Sequence, residues 1–207
     1  MRLISLFIFV LISFSCQAQK KYRIPGGCET CELMYVAMPS NIHSVDTSAG
    51  WNEPGQKMMV SGTVYQLDGK TPAAGVIVYY WQTDNNGLYS PSAAMDKGAA
   101  RHGHIRGWVK TGADGKYSIY TIKPVSYPNS NNPAHIHILI KEPDIENEYY
   151  IDEFVFDDDK YVTAQIRSNQ TKRGGSGILH LKTNGNMQVA MHDIILGFNI
   201  PGYPSRL

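Results

Sequence analysis

The sequence has 207 residues, 43% of them hydrophobic, and a formal net charge of +1. This length fits one ordinary domain that can bury its own core without a disulfide scaffold. The nearly neutral charge excludes the strongly basic surface that nucleic-acid binding requires, and no long run of like charge indicates an acidic or basic tail.

The first residues have the pattern of an export signal. Arg2 precedes an apolar run over 3–12, which is too short to span a bilayer comfortably and is followed at once by polar residues. Cleavage before Cys16 would leave a lipidated cysteine, as in bacterial lipoproteins, whereas cleavage after Ala18 would leave a soluble protein. We therefore expect residues 1–18 to direct export, and the product to be a periplasmic or cell-envelope lipoprotein or a secreted protein.

The next segment, 19–56, is rich in proline and glycine and is expected to be irregular. It contains a Cys-x-x-Cys motif, Cys28 to Cys31. A redox motif would open a helix in a βαβ unit, and a zinc site would need two more ligands nearby, but neither is visible. In an oxidising compartment the pair therefore predicts a local disulfide.

From residue 57 to 207 the pattern is that of one mostly-β domain. Asn184-Gly185 is a hairpin signal near the C-terminus, and at most one short helix fits within 157–168. Short strands at roughly 8–12-residue spacing indicate a β-sandwich or barrel. We expect a single β-sandwich of the transthyretin or immunoglobulin type, whose long loops carry a metal site. The strand-like runs are 58–66, 76–82, 105–111, 116–121, 134–141, 150–156, 178–181 and 187–195.

A His-x-His pair lies on one of these predicted strands. Residues two apart on a strand point to the same face, so His135 and His137 project together while Ile136, Ile138 and Ile140 face the core. Two neutral imidazoles side by side are a common bidentate metal site. The alternative is a pair of half-exposed histidines without a ligand role.

A second pair, His102 and His104, lies in the long loop 84–104 among glycines. Loop histidines beside glycines lack a fixed geometry, so we do not expect this pair to bind a metal.

The neighbours of the first pair form a recognisable order of motifs. Residues 121–128 have the sequence Thr-Ile-Lys-Pro-Val-Ser-Tyr-Pro, and residues 133–137 have Pro-Ala-His-Ile-His. Upstream, 81–89 have Trp-Gln-Thr-Asp-Asn-Asn-Gly-Leu-Tyr, and 114–117 have Asp-Gly-Lys-Tyr. Downstream, 153–157 have Glu-Phe-Val-Phe-Asp. In this order the segments resemble the intradiol ring-cleavage dioxygenases, the family of protocatechuate 3,4-dioxygenase.

The resemblance covers roughly 58–159 and continues more weakly toward the C-terminus. It implies one Fe(III) ion bound by Tyr89, Tyr127, His135 and His137, and cleavage of a catechol by O2 between the two hydroxylated carbons to a muconate-type diacid. Phenolate oxygens are hard anionic donors that suit Fe(III). By position, Tyr127 is the tyrosine that the catechol displaces and that accepts a proton, while the other three ligands stay bound.

Two residues depart from the family pattern. Asn132 stands where the family usually has an arginine, and Glu153 stands where it often has a glutamine. An asparagine supplies no cation, and a glutamate adds an anion near an oxyanionic substrate. Tyr127, Asn132 and Glu153 are therefore the candidate catalytic residues. Arg101 or Arg106 could replace the missing cation, although both have the ordinary pattern of solvated loop arginines.

Two other functions share parts of this pattern. A non-catalytic transthyretin-like binding domain of an exported protein would have the same sandwich but no need for two tyrosines beside the histidine pair. A copper or zinc protein would use His102, His104, His135 and His137, since imidazole-only sites suit these metals. Metal content and colour would separate the three.

Overall fold

The strands form two packed sheets in the computed structural model, which describes residues 21–26 and 28–205. Within this part of the chain the strands are β1 (Val45–Thr47), β2 (Lys57–Tyr65), β3 (Ile77–Gln82), β4 (Arg106–Lys110), β5 (Lys116–Ile122), β6 (His135–Lys141), β7 (Tyr149–Tyr150), β8 (Phe154–Phe156), β9 (Ile178–Leu179), β10 (Lys182–Asn184), β11 (Met187–Met191) and β12 (Ile194–Ile195). One sheet has the order β1-β5-β2-β11-β10 with β12 beside β2. The other has the order β4-β3-β6-β8-β9 with β7 beside β6.

The core lies between the two sheets and confirms the predicted β-sandwich. In β5 buried and partly exposed residues alternate, so one face of the strand points inward. Val60 and Ile119 of the first sheet belong to the same buried cluster as Val78, Ile136 and Ile138 of the second. Each such side chain contributes about 1.5–3 kcal/mol of hydrophobic stabilisation, so this shared cluster is what holds the sheets together.

The N-terminal segment covers the outer face of the second sheet. Its 3-10 helix, Cys31–Tyr35, places Met34 in a second buried cluster with Tyr79 and Trp81 of β3. Arg106 donates to the Leu33 carbonyl oxygen at 3.0 Å and adds a polar tie to the same helix. The segment expected to be irregular thus contributes short regular elements, including β1 and the 3-10 helix Ala49–Asn52. It also contains the predicted disulfide between Cys28 and Cys31.

The C-terminal third differs from the prediction in two respects. The run predicted over 150–156 is divided between β7 and β8, and the run predicted over 187–195 is divided between β11 and β12. The hairpin at Asn184-Gly185 joins β10 to β11, whereas the predicted first arm over 178–181 supplies β9, which pairs parallel to β8 in the other sheet. Leu179 is buried there, so the apolar run joins the core through the other sheet, while the exposed residues of β10 form the first arm of the hairpin.

Helices play a minor part. The predicted short helix is α1 (Ala164–Ser168), capped by the Thr163 hydroxyl, and a further 3-10 helix, Lys97–His102, lies in the long loop. In residues 21–26 and 28–205, no helix combines the length and apolar character needed to cross a membrane. The predicted export signal, including Cys16, lies outside the described residues.

Candidate metal centre

The histidine pair of β6 has the predicted geometry. His135 and His137 project from the same side of the strand, and their Nε2 atoms are 3.2 Å apart. Ile136 and Ile138 point the other way and are buried in the core. Pairing of β6 with β3 on one side and β8 on the other holds both imidazoles in a fixed register.

Both predicted tyrosines meet these histidines. The hydroxyl oxygens of Tyr89 and Tyr127 are 2.6 Å apart. The Tyr89 hydroxyl is 2.7 Å from Nε2 of His137, and the Tyr127 hydroxyl is 2.9 Å from Nε2 of His135. The four polar atoms therefore converge closely enough to share one metal ion, and they come from segments up to 48 residues apart in sequence.

Two features of the loops bring the tyrosines together. The carboxylate of Asp84 accepts hydrogen bonds from the Asn86 and Leu88 backbone and from the Ser90 hydroxyl, which fixes the turn that carries Tyr89. Gly87 has φ 75°, and a Cβ there would lie 2.3 Å from the Ser126 carbonyl oxygen. Only glycine combines that conformation with so close an approach to the loop that carries Tyr127.

Hydrogen bonds on the far side of each ring orient the imidazoles. The Pro133 carbonyl oxygen can only accept, so Nδ1 of His135 donates to it at 2.8 Å and Nε2 keeps its lone pair. Nδ1 of His137 lies 2.8 Å from Oε1 of Glu153, which has the same effect on the second ring. Such outer contacts fix the tautomer and orientation of metal-binding histidines. Glu153 thus contacts a candidate ligand directly.

The protonation of the candidate ligands depends on whether a metal is bound. Burial raises the pKa of Tyr89 and of Tyr127, and burial lowers the pKa of His135. Without a metal, the two phenols and this imidazole are therefore neutral. A nearby metal cation reverses this preference and stabilises the phenolates, so metal binding must release protons.

A cavity of about 380 Å³ opens beside these donors. It lies at the small end of the usual range for ligand sites. Its lining includes aromatic, apolar and charged side chains from the N-terminal segment, the long loop and the strands: Glu29, Thr30, Trp81, Tyr89, Arg101, His102, Tyr127, His137, Tyr150, Ile151 and Glu153. No sequence pattern pointed to Glu29 and Thr30 beyond their place within the Cys-x-x-Cys motif.

The other predicted site residues occupy three different environments. Asn132 is exposed, its backbone N–H donates to the Ser130 hydroxyl, and it is not part of the cavity wall. Arg106 donates to backbone carbonyls of the N-terminal segment and is likewise not part of that wall. Arg101 does line the cavity, where it pairs at 3.2 Å with Glu29.

The loop histidines have fixed positions, contrary to the expectation from their glycine-rich surroundings. His102 is buried, with Nδ1 2.8 Å from the Tyr79 hydroxyl and Nε2 3.0 Å from the Thr30 hydroxyl. His104 contacts the Ser90 carbonyl oxygen and the Glu53 carboxylate. Both nitrogens of each ring are thus already engaged.

The Trp81 ring separates the buried loop histidine from the strand pair. It stacks on His102 with ring centroids 4.0 Å apart and on His137 at 4.6 Å. This arrangement does not support a metal site built from four histidines.

Comparison with known proteins gives one family match and several relatives. A family model described as Dioxygenase matches residues 34–198. The chain is 31% identical over 189 residues to catechol 1,2-dioxygenase 1 of Acinetobacter lwoffii, which covers 78% of this chain and 59% of that protein. It is 31% identical over 124 residues to 6-chlorohydroxyquinol 1,2-dioxygenase of Cupriavidus pinatubonensis, covering 52% of this chain and 42% of that protein. The chain therefore spans about half the length of these relatives.

Solved structures share the fold. The dioxygenase domain of a dioxygenase carbohydrate-binding protein fusion from Streptomyces sp. SirexAA-E has a TM-score of 0.58 at 24% identity, covering 84% of this chain and 97% of that one. Catechol 1,2-dioxygenase from Pseudomonas arvilla C-1 has a TM-score of 0.59 at 21% identity, covering 83% of this chain and 60% of that one.

Proposed function

Because the chain belongs to the intradiol ring-cleavage dioxygenase family, we propose that it uses one non-haem Fe(III) and O2 to cleave a catechol-type ring between its hydroxylated carbons, giving a muconate-type diacid. The observation that carries this proposal is the convergence of Tyr89, Tyr127, His135 and His137 on one point at the edge of a cavity. Neither alternative function accounts for two phenols at that point.

The donor set fits a ferric ion. Two phenols that lose their protons on metal binding supply hard anionic oxygens, and two oriented imidazoles supply neutral nitrogens. When bound, ferric iron would withdraw electron density from a catecholate and make its ring reactive toward O2. His135 and His137 are the more rigid pair, since a sheet strand carries both and an outer hydrogen bond orients each ring.

Tyr127 is the residue we assign to proton transfer. Both tyrosines lie on loops, but hydrogen bonds to Asp84 fix the turn that carries Tyr89, and by its position in the family pattern Tyr127 is the tyrosine that a catechol displaces. Burial raises its pKa, so its conjugate base is a strong proton acceptor once a catechol takes its place. Tyr89 and the two histidines keep their positions in this assignment.

Neutral catechols are the substrates that the cavity favours. Asn132 brings no cation to it, and Arg101 is already paired with Glu29, which leaves Glu153 as a carboxylate facing the substrate space. A carboxylated ring would therefore meet an unfavourable charge, whereas plain and alkyl catechols would not.

The direct test is the metal content and visible spectrum of the purified protein. We expect about one iron per chain and a red-purple phenolate-to-iron charge-transfer band that shifts when catechol is added, together with oxygen uptake. A colourless protein that carries zinc, or no metal after careful iron loading, would contradict the proposal. Iron binding without oxygen uptake would support the proposed metal site but refute the proposed activity.

We also propose that the protein is exported, with Cys16 as a lipid attachment site. Each buried CH2 of an acyl chain contributes roughly 0.8 kcal/mol, so several chains hold a protein stably on a membrane. Cys16→Ser should therefore move the protein from the membrane fraction to the soluble fraction. A native protein that is wholly soluble and begins at residue 19 would show that cleavage follows Ala18.

A further inference from the structure

The loop between Cys28 and Cys31 reaches the cavity beside the metal centre. Glu29 and Thr30, the two residues enclosed by the disulfide, line the same cavity as Tyr89 and His137. The loop belongs to the N-terminal segment and not to the sandwich that carries the four candidate ligands. The loop therefore adds a wall to the cavity, whereas the candidate metal ligands come from the sandwich.

Contacts on two sides hold this loop in place. The Thr30 hydroxyl bonds to Nε2 of His102 at 3.0 Å, and the Tyr150 hydroxyl donates to the Glu29 carbonyl oxygen. The Glu29 carboxylate also pairs with Arg101 at the rim. The first contact ties the loop to the 84–104 region and the second ties it to β7, so the loop bridges two sides of the cavity.

A directional chain of hydrogen bonds supports the Thr30 contact. The Arg106 guanidinium can only donate, and it donates to the Tyr79 oxygen at 3.1 Å. The Tyr79 O–H then donates to Nδ1 of His102 at 2.8 Å, which leaves the proton of the neutral ring on Nε2. That nitrogen donates to the Thr30 hydroxyl oxygen. The buried chain thus fixes both the His102 tautomer and the position of Thr30.

The backbone of Thr30 shows that this position is imposed by its surroundings. Thr30 has φ 62°, a left-handed conformation that is unfavourable for a β-branched residue. Such strain persists only where neighbouring structure determines it, and it concentrates at ligand sites. The disulfide closes the loop around this residue, the Thr30 hydroxyl contacts His102, and the Thr30 carbonyl oxygen accepts a hydrogen bond from the Leu33 backbone N–H.

We propose that the disulfide-closed loop Cys28–Cys31 is a specificity-determining wall of the substrate cavity, with Thr30 limiting the size of the substituent on the catechol ring. The inference rests on the proposed catechol activity and names a further limit on its substrates. Small rings fit beneath the wall, and bulky alkyl catechols are excluded until the loop is released. Pocket changes as small as one methylene alter specificity by about 10–200-fold, so the effect is measurable.

The main test compares the iron-loaded wild type with the double variant Cys28→Ser, Cys31→Ser. Thiol counting first establishes that the wild type has the bond. We expect kcat/KM for 4-tert-butylcatechol relative to catechol to rise at least about tenfold in the double variant, mainly through KM. Val60→Ala serves as the matched control, because it lowers stability from the sandwich core without touching the loop. An unchanged ratio in the folded double variant would overturn the proposal.

A second pair of variants acts on the wall without opening the ring. Thr30→Gly removes the side chain and relieves the positive φ, so it should fold readily and raise the same ratio. Thr30→Ser keeps the hydroxyl bonded to His102 and should change the ratio less. Equal ratios in these two variants and the wild type would refute a role for Thr30 even if the double variant failed to fold.

A third measurement separates this inference from the proposed activity. Trp81 lines the cavity and is 5% exposed, so its fluorescence reports access to the cavity. In a Trp51→Phe, Trp108→Phe background, breaking the disulfide should increase quenching of Trp81 by acrylamide. Unchanged quenching would show that the loop is not a wall. Increased quenching in a protein without catechol turnover would support the wall and refute the activity.

Discussion

Replacing Glu153 by glutamine should change which catechols the protein accepts while leaving the metal in place. The Glu153 carboxylate lies 2.8 Å from Nδ1 of His137 and lines the cavity. Burial acts to raise its pKa, but the hydrogen bond with His137 and the nearby imidazoles outweigh burial and lower it, so the group is ionised at neutral pH. A glutamine can still accept the hydrogen bond from His137, and only the negative charge is lost.

The size of the effect follows from the position of this charge. A ring substituent beyond the His137 imidazole would lie roughly 8 Å from the carboxylate, where two unit charges repel by about 2 kcal/mol at an effective dielectric near 20. The Glu153 side chain is 47% exposed, so solvent and salt screen part of this repulsion. We expect about 1.4 kcal/mol to remain, which is a factor of about ten in binding.

Oxygen uptake measures this effect directly. Glu153→Gln should raise kcat/KM for protocatechuate relative to catechol about tenfold, with iron content unchanged. Glu146→Gln is the matched control, because it removes one carboxylate that pairs with Arg23 away from the cavity. The reasoning fails if the ratio is the same in both variants. It also fails if the wild type already prefers protocatechuate, a result that would identify Arg101 as a substrate-binding cation.

The remaining predictions concern the histidines and the metal. His135→Ala or His137→Ala should abolish iron binding, measured by metal analysis. His102→Ala and His104→Ala should retain most of the bound iron. Equal loss of iron in all four variants would favour the four-histidine site. Glu153→Ala should weaken iron binding about 10–100-fold in a chelator competition, because His137 loses its orienting partner, and an unchanged affinity would show that Glu153 has no such role. Burial lowers the pKa of His102 to about 3 from its ordinary 6.5. The unfolded chain therefore takes up a proton that the folded protein does not, and the free energy of unfolding should fall as the pH drops from 6.5 toward 3, by at most about 1.4 kcal/mol per pH unit. Urea denaturation of the metal-free protein should show a shallower pH slope for His102→Gln, and an identical slope would contradict the assignment.

Sequence patterns predicted the parts of the site that depend on local geometry. The alternation around His135 and His137 determines which side chains face the core and which face the ligand space, because a strand has a period of two. Asp84 and Gly87 fix the approach of Tyr89 through contacts within a few residues or with the adjacent loop. The match of this order of residues to one family then named the four candidate ligands before any distance was known.

Position in sequence was a poor guide to the cavity wall. Asn132, three residues before His135, is exposed and away from the cavity, whereas Thr30 lies in the cavity wall although it is distant in sequence from every candidate ligand. The chain between Tyr127 and β6 turns outward, and the N-terminal segment is brought in by burial of Met34 against the second sheet. Which loop reaches the substrate is thus decided by packing that has no periodic signal.

Sequence patterns were sufficient to predict the class of fold, the strands that carry the site, the disulfide pair and the four residues that meet at one point. The fold class and the strands follow from side-chain alternation and turn chemistry, and the set of four residues follows from the resemblance of the motif order to one family. Three features emerged only from the folded chain: Glu153 orients His137, Trp81 separates His102 from the candidate metal centre, and Glu29 and Thr30 close the cavity. Each of these is a contact between segments whose mutual distance is set by the packing of two sheets and one covering segment, and no local pattern encodes it.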